Sequence, residues 1–147
     1  MTIHTFTTEL WLPRDRPAVF SFFADAHNLE TLTPPWLNFE VLTPRPIEMR
    51  AGAKIDYQLR VHGIPLRWQS EITAWQPPSQ FVDAQRRGPY RQWIHTHTFE
   101  EKNGGTLCRD RVEYAVLGGS IVNSLFVRRD VENIFHYRQE VLKKLFA

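Results

Sequence analysis

Apolar and polar residues alternate along most of this chain with a period of two, and that period gives way to helical spacing at only two places. Residues 3–12 (IHTFTTELWL) are rich in Ile, Thr, Phe and Trp and predict a first strand, which Pro13 ends. Residues 14–36 (RDRPAVFSFFADAHNLETLTPPW) predict helix. Asp15 suits an N-cap, and Pro17 suits a first turn, where its missing N–H costs little. A break between Ala24 and Asn28 divides the stretch into two short helices, and Pro34 and Pro35 stop it at the latest. Residues 37–44 (LNFEVLTP) predict a second strand. In 53–63 (AKIDYQLRVHG), Ile55, Tyr57, Leu59 and Val61 alternate with polar residues, as in a half-buried strand with one wet face.

The alternation continues through turns at 62–65 (HGIP), 76–80 (QPPSQ), 88–90 (GPY) and 102–105 (KNGG), the last a strong hairpin signal. Leu66, Trp68, Ser70 and Ile72 share one face of the strand before QPPSQ. Ile72 and Trp75 cannot both face inward in a regular strand, so a β-bulge near Thr73 is expected. After LGGS (117–120), with Ser120 placed to cap, the period becomes three and four. Val122, Leu125, Phe126, Val131, Ile134, Phe135, Val141, Leu142 and Leu145 form the apolar stripe. Arg129, Asp130, Glu132, Asn133, His136, Glu140 and Lys143 fall opposite. The pattern predicts one amphipathic helix of about 25 residues, about 37 Å long. A strand, two short helices, about six hairpin-linked strands and one long helix make an α+β domain over 1–147, with helices packed on one side of an antiparallel sheet.

Composition narrows the function. Forty-two per cent of residues are hydrophobic, with five Trp and ten Phe, enough to fill a core or to line a cavity. The net charge is only +2 and no Lys/Arg run exceeds two, which argues against a nucleic-acid partner. Cys108 is the single cysteine, so no intrachain disulfide forms and a reducing, cytoplasmic setting is expected. The start, MTIHTFTTEL, does not read as a signal peptide, and no apolar run approaches the roughly 20 residues of a membrane span.

Residues 88–116 carry the chemistry. If Glu101 lies opposite Thr106, the hairpin register sets Phe99 by Cys108, His97 by Asp110, His95 by Val112 and Trp93 by Tyr114, all on one face. The opposite face then holds Gln92, Ile94, Thr96, Thr98, Leu107, Arg109, Arg111 and Glu113. Folding back at GPY brings Phe81, Asp83 and Gln85 toward the inner set. His97 and Asp110 are the expected cross-strand pair. A carboxylate beside an imidazole fixes its tautomer and favours its charged form, as acid/base chemistry requires. The same pair also serves simply to satisfy buried polar groups or to orient a ligand. His95 and His97 could reach one metal, but the third ligand has no established spacing, and no metal or cofactor is expected. Arg138 interrupts the helix pattern and is a candidate partner for an Asp or a ligand carboxylate. Arg86, Arg87 and Arg91 read as a solvated loop.

The order of elements resembles the START/Bet v 1-like (SRPBCC) superfamily, bacterial polyketide cyclase/dehydrase-like branch. The likeness is carried by LTPPWLNFEVLTP, by MRAGAKIDYQLRVHGIPLRWQSEITAWQPPSQFVDAQRRGPYRQWIHTHTF and by GGTLCRDRVEYAVLGG, and covers nearly the whole chain. It implies a helix-grip fold, in which a curved antiparallel sheet of six to seven strands wraps a long C-terminal helix and leaves a space between them. It does not fix a reaction.

The expected function is binding of a small hydrophobic or aromatic molecule in that space. Tyr57, Trp68, Trp75, Trp93 and Tyr114 are the expected walls, and Asp83, His95, His97, Asp110 and Arg138 the orienting groups. Two alternatives stand beside it. One is a cofactor-free cyclase, dehydratase or hydrolase with His97 and Asp110 as acid/base pair. The other is an interaction or stress module without ligand, whose core would be filled. A nucleophile elbow, a phosphate-binding glycine loop and a nicotinamide fingerprint are all missing from the sequence. A monomer and a homodimer are equally compatible with it.

Overall fold

The computed structural model describes residues 1–147. Its seven strands are β1 (His4–Leu12), β2 (Glu40–Val41), β3 (Lys54–Val61), β4 (Ile64–Gln76), β5 (Gln80–Arg87), β6 (Gln92–Lys102) and β7 (Gly105–Ala115). They form one antiparallel sheet in the order β1-β7-β6-β5-β4-β3-β2. Between β1 and β2 lie α1 (Arg16–Ala24) and α2 (Leu29–Leu32). The Asp15 side chain accepts a hydrogen bond from the Ala18 amide, and Pro17 occupies the first turn. The expected break is present: Asp25 ends α1 and caps the short 3-10 turn Ala26–Asn28 through the His27 amide.

The hairpin register around Lys102–Gly105 is the one the alternation predicts, including His97 opposite Asp110 and Trp93 opposite Tyr114. The β4–β5 register slips between Ile72 and Ala74, so a bulge at Thr73 turns both Ile72 and Trp75 inward. The second strand is shorter than expected and pairs only through Glu40 and Val41.

The C-terminal helix runs as an α-turn, α3 (Gly119–Val122), a π-turn (Asn123–Val127) and the long α4 (Arg128–Leu145). Two expectations change here. Gly118, at φ 90°, is the N-cap in place of Ser120. The π-turn adds a residue to the helical repeat and shifts its phase. Asn123 therefore faces inward, while Leu125 and Phe126, expected in the apolar stripe, are 66% and 63% exposed. From Val131 onward the buried face runs through Phe135, Arg138 and Leu142, while Leu145, also expected in the stripe, is 50% exposed.

The inner face holds two hydrophobic clusters. The larger lies under α1 and includes Leu12, Val19, Phe20, Phe23, Phe81, Phe99, Cys108 and Leu142. The smaller, under the first half of the C-terminal helix, consists of Val112, Tyr114, Val116, Val131 and Phe135. Phe6, Tyr90, Trp93, Val122 and Val127 pack around it half-buried.

A buried His–Asp–Arg layer as candidate functional site

A band of polar side chains separates the two clusters. Along β6 the inward residues run Phe99, His97, His95, Trp93, and along β7 they run Cys108, Asp110, Val112. Asp83 of β5 lies opposite His95, and Thr8 of β1 lies opposite Asp110. From the helix, Arg138 comes down between Phe23 of the larger cluster and Phe135 of the smaller, with its guanidinium carbon 5.1 and 5.7 Å from their ring centres. Gln139 beside it donates to Thr8 Oγ1 at 2.7 Å. The band is thus one side chain thick and crosses four strands and the helix.

Its hydrogen bonds run diagonally. His95 Nε2 bonds Asp110 Oδ1 at 2.7 Å, and His97 Nε2 bonds Asp83 Oδ2 at 2.6 Å. The directly opposed atoms are farther apart, 3.6 Å from His97 Nδ1 to Asp110 and 4.0 Å from His95 Nδ1 to Asp83. The expected His97–Asp110 pair is therefore neighbouring but not bonded: both rings lean across the strands, and diagonal partners are within reach of long side chains. The lean stacks the imidazoles on each other, centres 3.6 Å apart, and lays His97 on Phe81 at 4.0 Å.

Charge within the band is tightly constrained. His95, His97 and Arg138 are 5%, 3% and 8% exposed. Burial alone pushes the Asp83 and Asp110 carboxyls up, but their partners outweigh it and hold both below the ordinary carboxylate range. For Asp83 the main partner is the His97 hydrogen bond; for Asp110 it is the Arg138 guanidinium, with His95 next. Burial, reinforced by His95, pushes His97 down to about 4. His97 is therefore neutral near pH 7. Because a carboxylate only accepts, its proton sits on Nε2 and points at Asp83, leaving a lone pair on Nδ1.

Asp83, His95 and His97 bring donor atoms within 4.8 Å of one another, the outline of a metal site. Their present geometry does not fit one. The two rings lie at an interplanar angle of 23°. Imidazole binds a metal in its own plane, so two rings must converge at a near-tetrahedral angle. Both Nε2 atoms are also engaged by carboxylates.

The expected wall residues divide between the two halves. Trp68, which packs against the larger cluster, meets Trp93 of the smaller one edge to face at 5.5 Å, with Tyr90 beside both. Trp75, half-buried like Trp68, does not meet Trp93 but packs on Phe20 and Phe81 at the edge of the larger cluster. Tyr57 is buried against Phe39, and burial pushes its phenol up. Tyr114 is fully buried and donates to Asn123 Oδ1 at 2.6 Å, so its hydroxyl is already engaged. Asn123 was not legible in the sequence, because only the π-turn brings it inward. Cys108 lies in the core, and burial pushes its thiol up to about 12, which removes it as a nucleophile. Two open clefts of about 430 and 450 Å³ lie at the β2–β3–β4 edge, sharing Arg67, and neither includes any residue of the polar band.

Comparison with known proteins agrees with this architecture. The family described as polyketide cyclase / dehydrase and lipid transport matches residues 12–135. No curated protein matches the chain. Among solved structures, a protein from Chromobacterium violaceum superposes with a TM-score of 0.76 at 15% identity, covering 97% of both chains. Ara h 8.0201 superposes with a TM-score of 0.74 at 14% identity, covering 99% of this chain and 98% of its own. A nucleoside-diphosphate sugar epimerase from Corynebacterium glutamicum reaches a TM-score of 0.71 at 24% identity, over 95% of this chain but only 28% of the epimerase. At these identities the likeness is one of fold. The helix-grip architecture is that of Bet v 1-like proteins, and by its profile match this chain belongs to the polyketide cyclase/dehydrase and lipid transport family.

Proposed function

We propose that the protein binds a small hydrophobic or aromatic molecule under the first half of the C-terminal helix, with the His–Asp–Arg band orienting its polar end. One observation carries this reading: five ionisable side chains are held between two hydrophobic clusters, where a structure selected for stability alone would place apolar groups. The half-buried rings of Trp68, Tyr90 and Trp93 offer apolar contact next to that band. Burying about 330 Å² of apolar ligand surface at roughly 25 cal/mol per Å² supplies about 8 kcal/mol, the scale of micromolar binding before association costs. Family membership supports the same reading. Trp75 is left out of the ligand contacts.

Native mass spectrometry of freshly purified protein beside a denatured control tests it. A mass carried by the native protein and lost on denaturation is expected. A bare native mass, together with no uptake of apolar aromatic probes, overturns the proposal.

A second reading, proton-transfer catalysis, is favoured by the neutral His97 with a free Nδ1. On that reading His97→Ala abolishes turnover of the identified ligand while leaving its binding; on the first there is no turnover to lose.

A further inference from the structure

Two buried nitrogens of the band have no hydrogen-bond partner, Arg138 Nε and His97 Nδ1. Buried polar groups are rarely left so. Both side chains approach the same atom, Asp110 Oδ1, with Arg138 Nη2 at 3.7 Å and His97 Nδ1 at 3.6 Å. Neither distance is a hydrogen bond. That oxygen already takes the proton of His95 Nε2. The two nitrogens also want opposite things. Arg138 has only donors, whereas Nδ1 of a neutral His97 accepts. A methyl or ring edge placed here satisfies neither. A carbonyl satisfies Arg138 alone, and an ammonium satisfies His97 alone while meeting the guanidinium's charge. A single O–H group satisfies both, its proton going to Nδ1 and its oxygen accepting from the guanidinium, and an acidic O–H makes the stronger bond to each.

We propose that the ligand carries an acidic O–H group, a carboxylic acid or a phenol/enol, seated between Arg138 and His97. This rests on the binding reading above and adds its polar chemistry. The charged and titratable groups around the site are Asp83 from β5, Asp110 and the Cys108 thiol from β7 and His95 from β6, and α1 packs the Phe23 ring against Arg138. A carboxylate has no proton to offer the accepting Nδ1 of a neutral His97, so a ligand that is ionised in water must regain one on entry, held between its own oxygen and His97 Nδ1. Binding of a carboxylate is then coupled to uptake of about one proton. Binding of a phenol, neutral in water, is coupled to none.

The test is calorimetric titration of the full chain at pH 7 with 2-naphthoic acid, 2-naphthol and 2-methylnaphthalene, three probes of nearly one shape. Each is run in buffers of different ionisation enthalpy so that protons are counted. Greasiness alone favours the methyl compound. The proposal expects naphthoate or naphthol to bind at least about tenfold tighter than methylnaphthalene. It expects about one proton taken up with naphthoate and none with naphthol, and which of the two binds tighter distinguishes an acid from a phenol ligand. In Arg138→Gln, checked for folding by its thermal transition, the preferred probe falls to the affinity of the methyl compound. Equal or tighter binding of methylnaphthalene overturns the acidic group and leaves the apolar site standing, with a trapped water as the missing partner. Tight naphthoate binding without proton uptake also overturns it, since His97 then takes no part. If none of the three binds, the binding reading falls and this one with it.

Discussion

The two halves of the inner face share strands, share the helix and differ in their cover. Under α1, Phe20 meets Trp75, Phe81 and Phe99 at ring distances of 5.2 to 6.0 Å, and a second helix layer closes the space. Under the first half of the C-terminal helix the hydrophobic cluster has five buried residues, and the Phe6, Tyr90 and Trp93 rings around them stay half-buried. Both halves are rich in aromatic residues. What separates solid core from accessible lining is therefore not composition but whether a second helix lies over the rings, and the His–Asp–Arg band marks the boundary.

The largest expected effect comes from breaking the closed half. Phe20→Ala removes a fully enclosed ring and should cost about 3–5 kcal/mol in urea unfolding. Trp93→Ala, on the open half, should cost less than half as much. Equal costs would erase the distinction between the halves.

Acid acts next, through the band itself. An imidazole in the unfolded chain titrates near 6.5 and folded His97 near 4. Between those values the unfolded chain takes up a proton that the folded protein refuses. Stability contributed by a depressed histidine is therefore complete above pH 6.5 and lost as pH falls toward 4, on the order of 3 kcal/mol. Asp83 and Asp110, held below their ordinary range, add a further loss as pH falls below about 4. His97→Phe, stacked on Phe81, should flatten the profile between pH 6.5 and 4 even if the variant is less stable overall. An unchanged slope in that window would sink the assignment of His97 as the neutral member.

The smallest effect belongs to the surface. His62 at the β3–β4 turn meets Asp130 of the helix at 2.9 Å, with the imidazole largely exposed. His62→Ala should cost no more than about 1 kcal/mol. It should also speed hydrogen exchange near Asp130 while leaving α1 unchanged.

How much of this was legible in the sequence follows from the range of each interaction. The β6–β7 register was readable because a two-residue period and a KNGG turn leave a single pairing that keeps Trp93, His95, His97 and Phe99 inward. The bulge at Thr73 was readable because Ile72 and Trp75 demanded it. The layer's membership was readable for Asp83, His95, His97, Asp110 and Arg138, since parity and helical spacing fix faces. Its hydrogen bonds were not. Opposite and diagonal partners share a face, and only the lean of the rings, set by stacking on Phe81, chooses between them. For Trp75 strand parity gives the inward face but not its neighbours Phe20 and Phe81, which α1 and β5 bring to it. Leu125 and Phe126 were misplaced because a π-turn leaves no mark in a pattern read at 3.6 residues per turn.

The most direct measurement follows the indole N–H signals of Trp68, Trp75 and Trp93 by NMR while an apolar aromatic probe is titrated to saturation. The account predicts that Trp68 and Trp93 shift together with one affinity while Trp75, locked against Phe20 and Phe81, stays in place. A shift of Trp75 alone, or of only the exposed Trp11 and Trp36, would contradict it.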